Sequence, residues 1–206
     1  MNIEIENTGK TTGILYLAIK RFADILFSSI GIVCFFVPGL LIAGIIVCES
    51  RGPVIFAQKR VGRHGREFQI LKFRTMRLDT PQYCSTEQLE NSNQYITRIG
   101  HFLRKFSLDE IPQLLNVLRG DMSLIGPRPL IAGEKEIHQL RMENGVYRVR
   151  PGITGLAQIN GRDRVSLEDK VRMDREYVDR LGFREDMSIL LGTIPKLISG
   201  EDVVER

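Results

Sequence analysis

ILFSSIGIVCFFVPGLLIAGIIV, residues 25–47, decides the architecture: 23 consecutive residues without a charged side chain. As a straight helix they reach about 35 Å, against a hydrocarbon core of about 30 Å. That length disfavours a buried helix of a soluble domain, so the stretch is read as membrane-inserted. A cleaved leader is disfavoured too, because the run starts late, is too long and lacks a small-residue cleavage site. Pro38-Gly39 breaks or kinks the helix in mid-run. Cations flank both ends, Lys20 and Arg21 before it and Arg51, Lys59, Arg60, Arg63 and Arg66 after it. Positive flanks favour the cytoplasmic side. A helix that enters and returns through one leaflet puts both flanks there, and a single span does not. The bend, however, frees backbone groups that need partners in lipid. From these residues alone the spanning and re-entrant readings both stay open.

Outside that stretch the chain has the composition of a folded domain. Of its 206 residues 43% are hydrophobic and 26% charged, which excludes a disordered chain. The formal net charge of +4 favours an anionic partner: phosphates, an anionic leaflet or nucleic acid. Nucleic acid is set aside, because no stacking-aromatic or groove-reading motif accompanies the charge. Cys34, Cys48 and Cys84 have no zinc-like spacing and read as reduced thiols. His64, His101 and His138 are scattered and read as surface or structural residues.

On the N-terminal side, residues 13–24 read as a helix entering a membrane interface. On the C-terminal side, residues 52–58 and 68–74 read as two short strands joined by a turn at Gly62-Arg63-His64-Gly65. Lys59, Arg60, Arg63, Arg66, Lys72, Arg74 and Arg77 make this hairpin basic, either as a lipid-facing patch or as a phosphate pocket. A short helix over 96–105 carries Arg98, Arg104 and Lys105. It leads into Ser107-Leu108-Asp109-Glu110-Ile111-Pro112-Gln113, two adjacent carboxylates at the start of a helix closed by Gly120. Ser107 with Glu110 predicts a capping box; a start nearer Ile111 would instead give Pro112 its favoured first position. In either case the free N–H groups and the helix dipole favour ionised carboxylates. Such groups can hold Mg²⁺ or attack an electrophile, although simple capping explains acidic residues there as well.

Gly126-Pro127-Arg128-Pro129 restricts Arg128 to extended geometry and pre-sets a guanidinium suited to phosphate, although a rigid turn with a surface arginine explains the motif as well. Residues 132–143 read as a charged helix. Residues 150–162 read as a loop or hairpin with Gln158 and Arg162 available to bind. Ser166 and Asp169 cap a helix carrying Asp174 and Tyr177, in which an i,i+4 salt bridge is the ordinary expectation for Asp174. The last apolar stripe, Met187 to Ile198 around Pro195, is a core helix or one lying at an interface.

Together Gly52-Pro53-Val54, Arg60-Val61-Gly62, Lys72-Phe73-Arg74-Thr75-Met76, Leu108 to Leu114, Gly126 to Pro129 and Arg150 to Gly155 resemble the bacterial sugar transferases, the monotopic polyprenyl-phosphate phosphoglycosyl transferases. The likeness runs from about Lys20 to Gly200 and is closest to the minimal form, similar to undecaprenyl phosphate N,N'-diacetylbacillosamine 1-phosphate transferases. It implies a mostly helical α+β fold with a re-entrant kinked helix, a small β-hairpin and interfacial amphipathic helices. Residues 1–50 would form the tail and inserted helix, and 51–206 a cytoplasmic catalytic domain at the membrane. It implies transfer of a sugar 1-phosphate from a UDP-sugar to undecaprenyl phosphate with release of UMP, at the bacterial inner membrane, with Mg²⁺. Asp109 would be the nucleophile, with Asp109 and Glu110 at the metal. Lys72, Arg74, Arg104, Arg128, Gln158, Arg162 and Asp174 are expected to bind substrate. A homodimer is left open. Val37 stands where the family often has Ser before its Pro. The competing class is a non-catalytic module that binds anionic lipid through its hairpin, which would need neither an acidic pair nor a Pro-clamped Arg.

Overall fold

A single helix, α1 (Ile14–Glu49), carries the whole apolar stretch and runs through Pro38 without interruption. Its 36 residues reach about 54 Å. The computed structural model describes residues 14–80, 92–161 and 166–199. After α1 come β1 (Ile55–Val61), β2 (Glu67–Phe73), α2 (Arg98–Lys105) and α3 (Gln113–Arg119). They are followed by β3 (Ser123–Ile125), β4 (Leu130–Ile131), α4 (Lys135–Glu143), β5 (Gly152–Thr154), α5 (Leu156–Ile159), α6 (Leu167–Asp179) and α7 (Phe183–Ser199). The fold is a mostly helical α+β one with two small sheets.

The expected hairpin is present, shifted by up to three residues. β1 and β2 pair antiparallel from Ile55 opposite Phe73 to Val61 opposite Glu67. Gly62 N–H donates to Arg66 O at 2.8 Å to close the turn. The strand β4 adds a third strand on the other side of β1, antiparallel at Arg60 and Val61. A second sheet, β3 parallel to β5, joins two glycine motifs. Gly126 N–H donates to Thr154 O at 2.8 Å and Gly152 N–H to Pro127 O at 2.9 Å. A side chain at either glycine would run into the other segment's backbone, so only glycine permits this approach.

Along its length α1 lies against this body. Tyr16 Oη and Lys20 Nζ reach Asp186 Oδ2 at 2.6 and 2.5 Å. Arg21 donates to the last carbonyls of α3, Val117 O at 2.7 Å and Leu118 O at 3.0 Å, where cations complement the helix dipole. Buried Asp24 accepts from Ser123 Oγ and Leu124 N–H at 3.0 and 2.9 Å. Gly31 lets Leu114 sit where a Cβ would be. Towards its other end Ile46 packs with Phe73 and Leu103, and Glu49 caps α2 by accepting from the N–H groups of Arg98 and Ile99 at 2.7 and 3.0 Å. The outer face, including Phe27, Val33, Phe36, Leu40 and Leu41, is exposed and apolar. α7 buries Ile189 but exposes Phe183, Leu190, Leu191 and Ile194.

Candidate active site

The acidic pair sits in a 3-10 turn, Leu108–Glu110, one residue pair before α3. The capping box predicted at Ser107 is absent. Ser107 takes a left-handed conformation (φ 53°), its side chain caps nothing, and Pro112 occupies the cap position of α3. Pro112 fits there because its missing N–H is one a helix start leaves unpaired. The turn buries both carboxylates, each residue being 8% exposed.

Three cations close around the pair. Lys72 Nζ, from β2, lies 2.7 Å from Glu110 Oε1 and 3.7 Å from Asp109 Oδ2. Arg128 Nη2 lies 3.4 Å from Glu110 Oε1. Arg104 donates through Nε to Thr75 Oγ1 at 2.9 Å, and its charge acts on Asp109. Burial pushes the Asp109 carboxyl above the usual carboxylate range. Lys72 pulls it back most strongly, Glu110 adds to the rise, and Arg104 and Arg128 oppose it. Three cations against two carboxylates leave an excess of positive charge, which suits a polyanionic ligand.

What sets Lys72 against the pair is Asn116, which the sequence reading missed. From α3 its fully buried amide accepts from Leu71 N–H at 3.0 Å and donates to Gln69 O at 2.7 Å. It thus pairs the outer edge of β2 and locks α3 to the strand that carries Lys72. A polar residue between the apolar Leu115 and Val117 was the available signal, since buried amides need partners.

Of the other predicted residues, three lie apart from the pair. Arg74 turns away: its buried guanidinium donates to Ser50 O at 2.6 Å and Arg51 O at 2.9 Å, tying the end of α1 to the hairpin. Gln158 donates to Ile153 O at 2.7 Å within its own segment. Asp174 is 1% exposed; Lys170, four residues back on its helix, acts on it by charge, but its hydrogen-bonded ion pair is with Arg141 Nη2 of α4, at 2.5 Å. Arg162 lies outside the described residues. Of the histidines, His138 contacts Tyr147 Oη and Ile131 O, and His64 shapes the hairpin turn.

Among the described residues no three His, Cys, Asp or Glu side chains gather as a metal cage. Two adjacent carboxylates nevertheless fit Mg²⁺, which is commonly held by one or two carboxylates and completed by substrate phosphates and water.

A family model described as bacterial sugar transferase matches residues 15–200. An uncharacterized sugar transferase of Bacillus subtilis, EpsL, is 38% identical over 187 residues, 91% of each chain. The UDP-glucose:undecaprenyl-phosphate glucose-1-phosphate transferase of Caulobacter vibrioides is 39% identical, covering 89% of this chain and 71% of its own length. The UDP-galactose-lipid carrier transferase of Erwinia amylovora is also 39% identical, over 85% of this chain and 39% of its own.

Proposed function

The chain belongs to the bacterial sugar transferase family, and from that membership we propose that it moves a sugar 1-phosphate from a UDP-sugar to undecaprenyl phosphate, opening the assembly of a bacterial glycoconjugate. The observation that carries this reading is the buried carboxylate pair ringed by Lys72, Arg104 and Arg128. An ionised Asp109 oxygen attacks the phosphorus bonded to the sugar, and the bond from that phosphorus to UMP breaks. UMP leaves with the electron pair, and an acyl phosphate remains on Asp109. An oxygen of the lipid phosphate then attacks the same phosphorus and Asp109 leaves as a carboxylate. Both nucleophiles are already anions, so neither step needs a general base. The obstacle is charge repulsion, which the three cations offset. Asp109 and Glu110 would hold Mg²⁺, which supplies further charge neutralisation at the diphosphate.

The same reading makes the protein monotopic at the cytoplasmic face of the inner membrane. Support comes from α1, whose two ends bind one folded body through Asp186 and through α2. On this reading both ends lie on one side, with the exposed apolar face of α1 turned to lipid. The names of the relatives carry different sugars, so the donor is identified by screening a panel of UDP-sugars with a polyprenyl phosphate. UMP release with at least one donor supports the proposal. No release across the panel, with anionic vesicles still bound, would favour the lipid-binding module instead.

A further inference from the structure

Arg128 is held by its backbone as tightly as its side chain is left to reach. Pro127 O accepts from Gly152 N–H at 2.9 Å, Arg128 O from Arg141 Nη1 at 2.8 Å, and Pro129 O from Arg60 Nη1 at 3.3 Å. Three successive carbonyls thus have three donors from three different parts of the chain. The flanking prolines remove the backbone freedom that remains. Of the three donors, Arg141 is the one buried as a charge. It is 3% exposed, and its other terminal nitrogen, Nη2, is taken by Asp174.

A buried ion pair is a poor way to gain stability, because desolvation of both charges consumes most of their attraction. A pair of apolar residues would fill the space between α4 and α6 as well. The fork of a guanidinium can do what an apolar pair cannot: it takes a carboxylate with one nitrogen and a chosen carbonyl with another. The carbonyl it takes is that of the residue whose side chain reaches Glu110.

We infer that Arg141, oriented by Asp174, is a positioning residue that fixes the backbone of Arg128 and thereby the reach of its guanidinium into the site. Asp174 then acts at two removes, through Arg141, and touches no substrate. This inference rests on the proposed phosphoglycosyl transfer for its activity readout.

The test is a pair of substitutions in two backgrounds. Arg141→Lys keeps a charge for Asp174 but loses the fork. Arg141→Met with Asp174→Leu removes both charges together, so no buried charge is left unpaired. Each is made in the native chain and in Arg128→Lys, and UMP release is measured as kcat/KM for the UDP-sugar. In the native background a loss of roughly tenfold to a hundredfold is expected, the cost of misplacing a positioning group by about an ångström. In the Arg128→Lys background the same changes should alter kcat/KM by less than about twofold, since Arg141 acts only through Arg128. Melting temperatures should shift equally in both backgrounds, which separates positioning from folding. Losses that multiply across the backgrounds, or Arg141 variants with native activity, would overturn the inference. A wild-type protein that releases no UMP faults the transferase reading instead. The same cycle measured as Kd for UDP by calorimetry then judges the positioning role by the same criterion.

Discussion

Replacing Lys72 by Met removes the cation that touches both carboxylates and leaves a side chain of similar length. At an effective dielectric of about 20, an ammonium 2.7 Å from Glu110 Oε1 and 3.7 Å from Asp109 Oδ2 attracts them by about 6 and about 4 kcal/mol. Much of that offsets the desolvation of a lysine whose side chain is 19% exposed. Breaking a buried pair by removing one partner costs about 3–5 kcal/mol; partial exposure favours the lower end. That cost falls on the fold; the loss in kcat/KM near neutral pH, from removing one electrostatic partner of the transition state, is on the order of a hundredfold. The loss has a pH signature. Asp109 reacts as the anion, and burial already holds its carboxyl above the usual range with Lys72 the main opposing influence. Without Lys72 the acid limb of kcat/KM moves to higher pH, and activity recovers in part as the pH is raised. The assay is UMP release against pH for both proteins. A profile lowered in parallel, its acid limb unmoved, would refute the role assigned to Lys72.

Two further outcomes follow from the same site and from α1. A group whose folded-state pKa is raised adds stability below its ordinary value and loses it as pH rises through the raised one. Asp109→Asn should therefore raise the melting temperature of the ligand-free protein at neutral pH, each kcal/mol gained appearing as about 2–4 °C; a lower melting temperature contradicts the raised Asp109 carboxyl. In a background without native cysteines, Cys placed at Ile14 and at Lys59 should both be shielded from an impermeant thiol reagent in intact cells. Labelling of one alone from outside would make α1 a span.

The sequence showed best what depends on local pattern. The uncharged run foretold α1, Gly120 stops α3 at φ 93° as expected, and Ser166 caps α6 by accepting from Asp169 N–H at 3.1 Å. Lys72, Arg104 and Arg128 could be picked out as phosphate-binding candidates, and the fold brings all three to the acidic pair. Local pattern failed where a distant partner decides the outcome. Ser107 looks like a cap, but the chain must turn left-handed there to deliver Asp109 and Glu110 from α2 to α3. Arg74 belongs to the same basic run as Lys72, yet it lies one residue past the end of β2, where the pleat no longer sets its direction, and it serves the end of α1. The i,i+4 partner expected for Asp174, Lys170, acts on it through its charge alone, and the hydrogen-bonded ion pair goes to Arg141, 33 residues earlier. The parallel pairing of β3 with β5 depends on two glycine motifs meeting backbone to backbone, which no single-segment periodicity encodes.

Covalent transfer through Asp109 is the central claim, and intact mass after a rapid quench tests it most directly. Wild-type protein mixed with its UDP-sugar alone, with Mg²⁺ and no lipid acceptor, should gain the mass of one sugar phosphate and release UMP. Peptide mapping should place the added mass on Asp109. Asp109→Asn, which keeps the shape and removes the nucleophile, should stay unmodified. If the wild type forms no adduct, and UMP appears only when donor and polyprenyl phosphate are present together, transfer is direct and Asp109 is not the nucleophile.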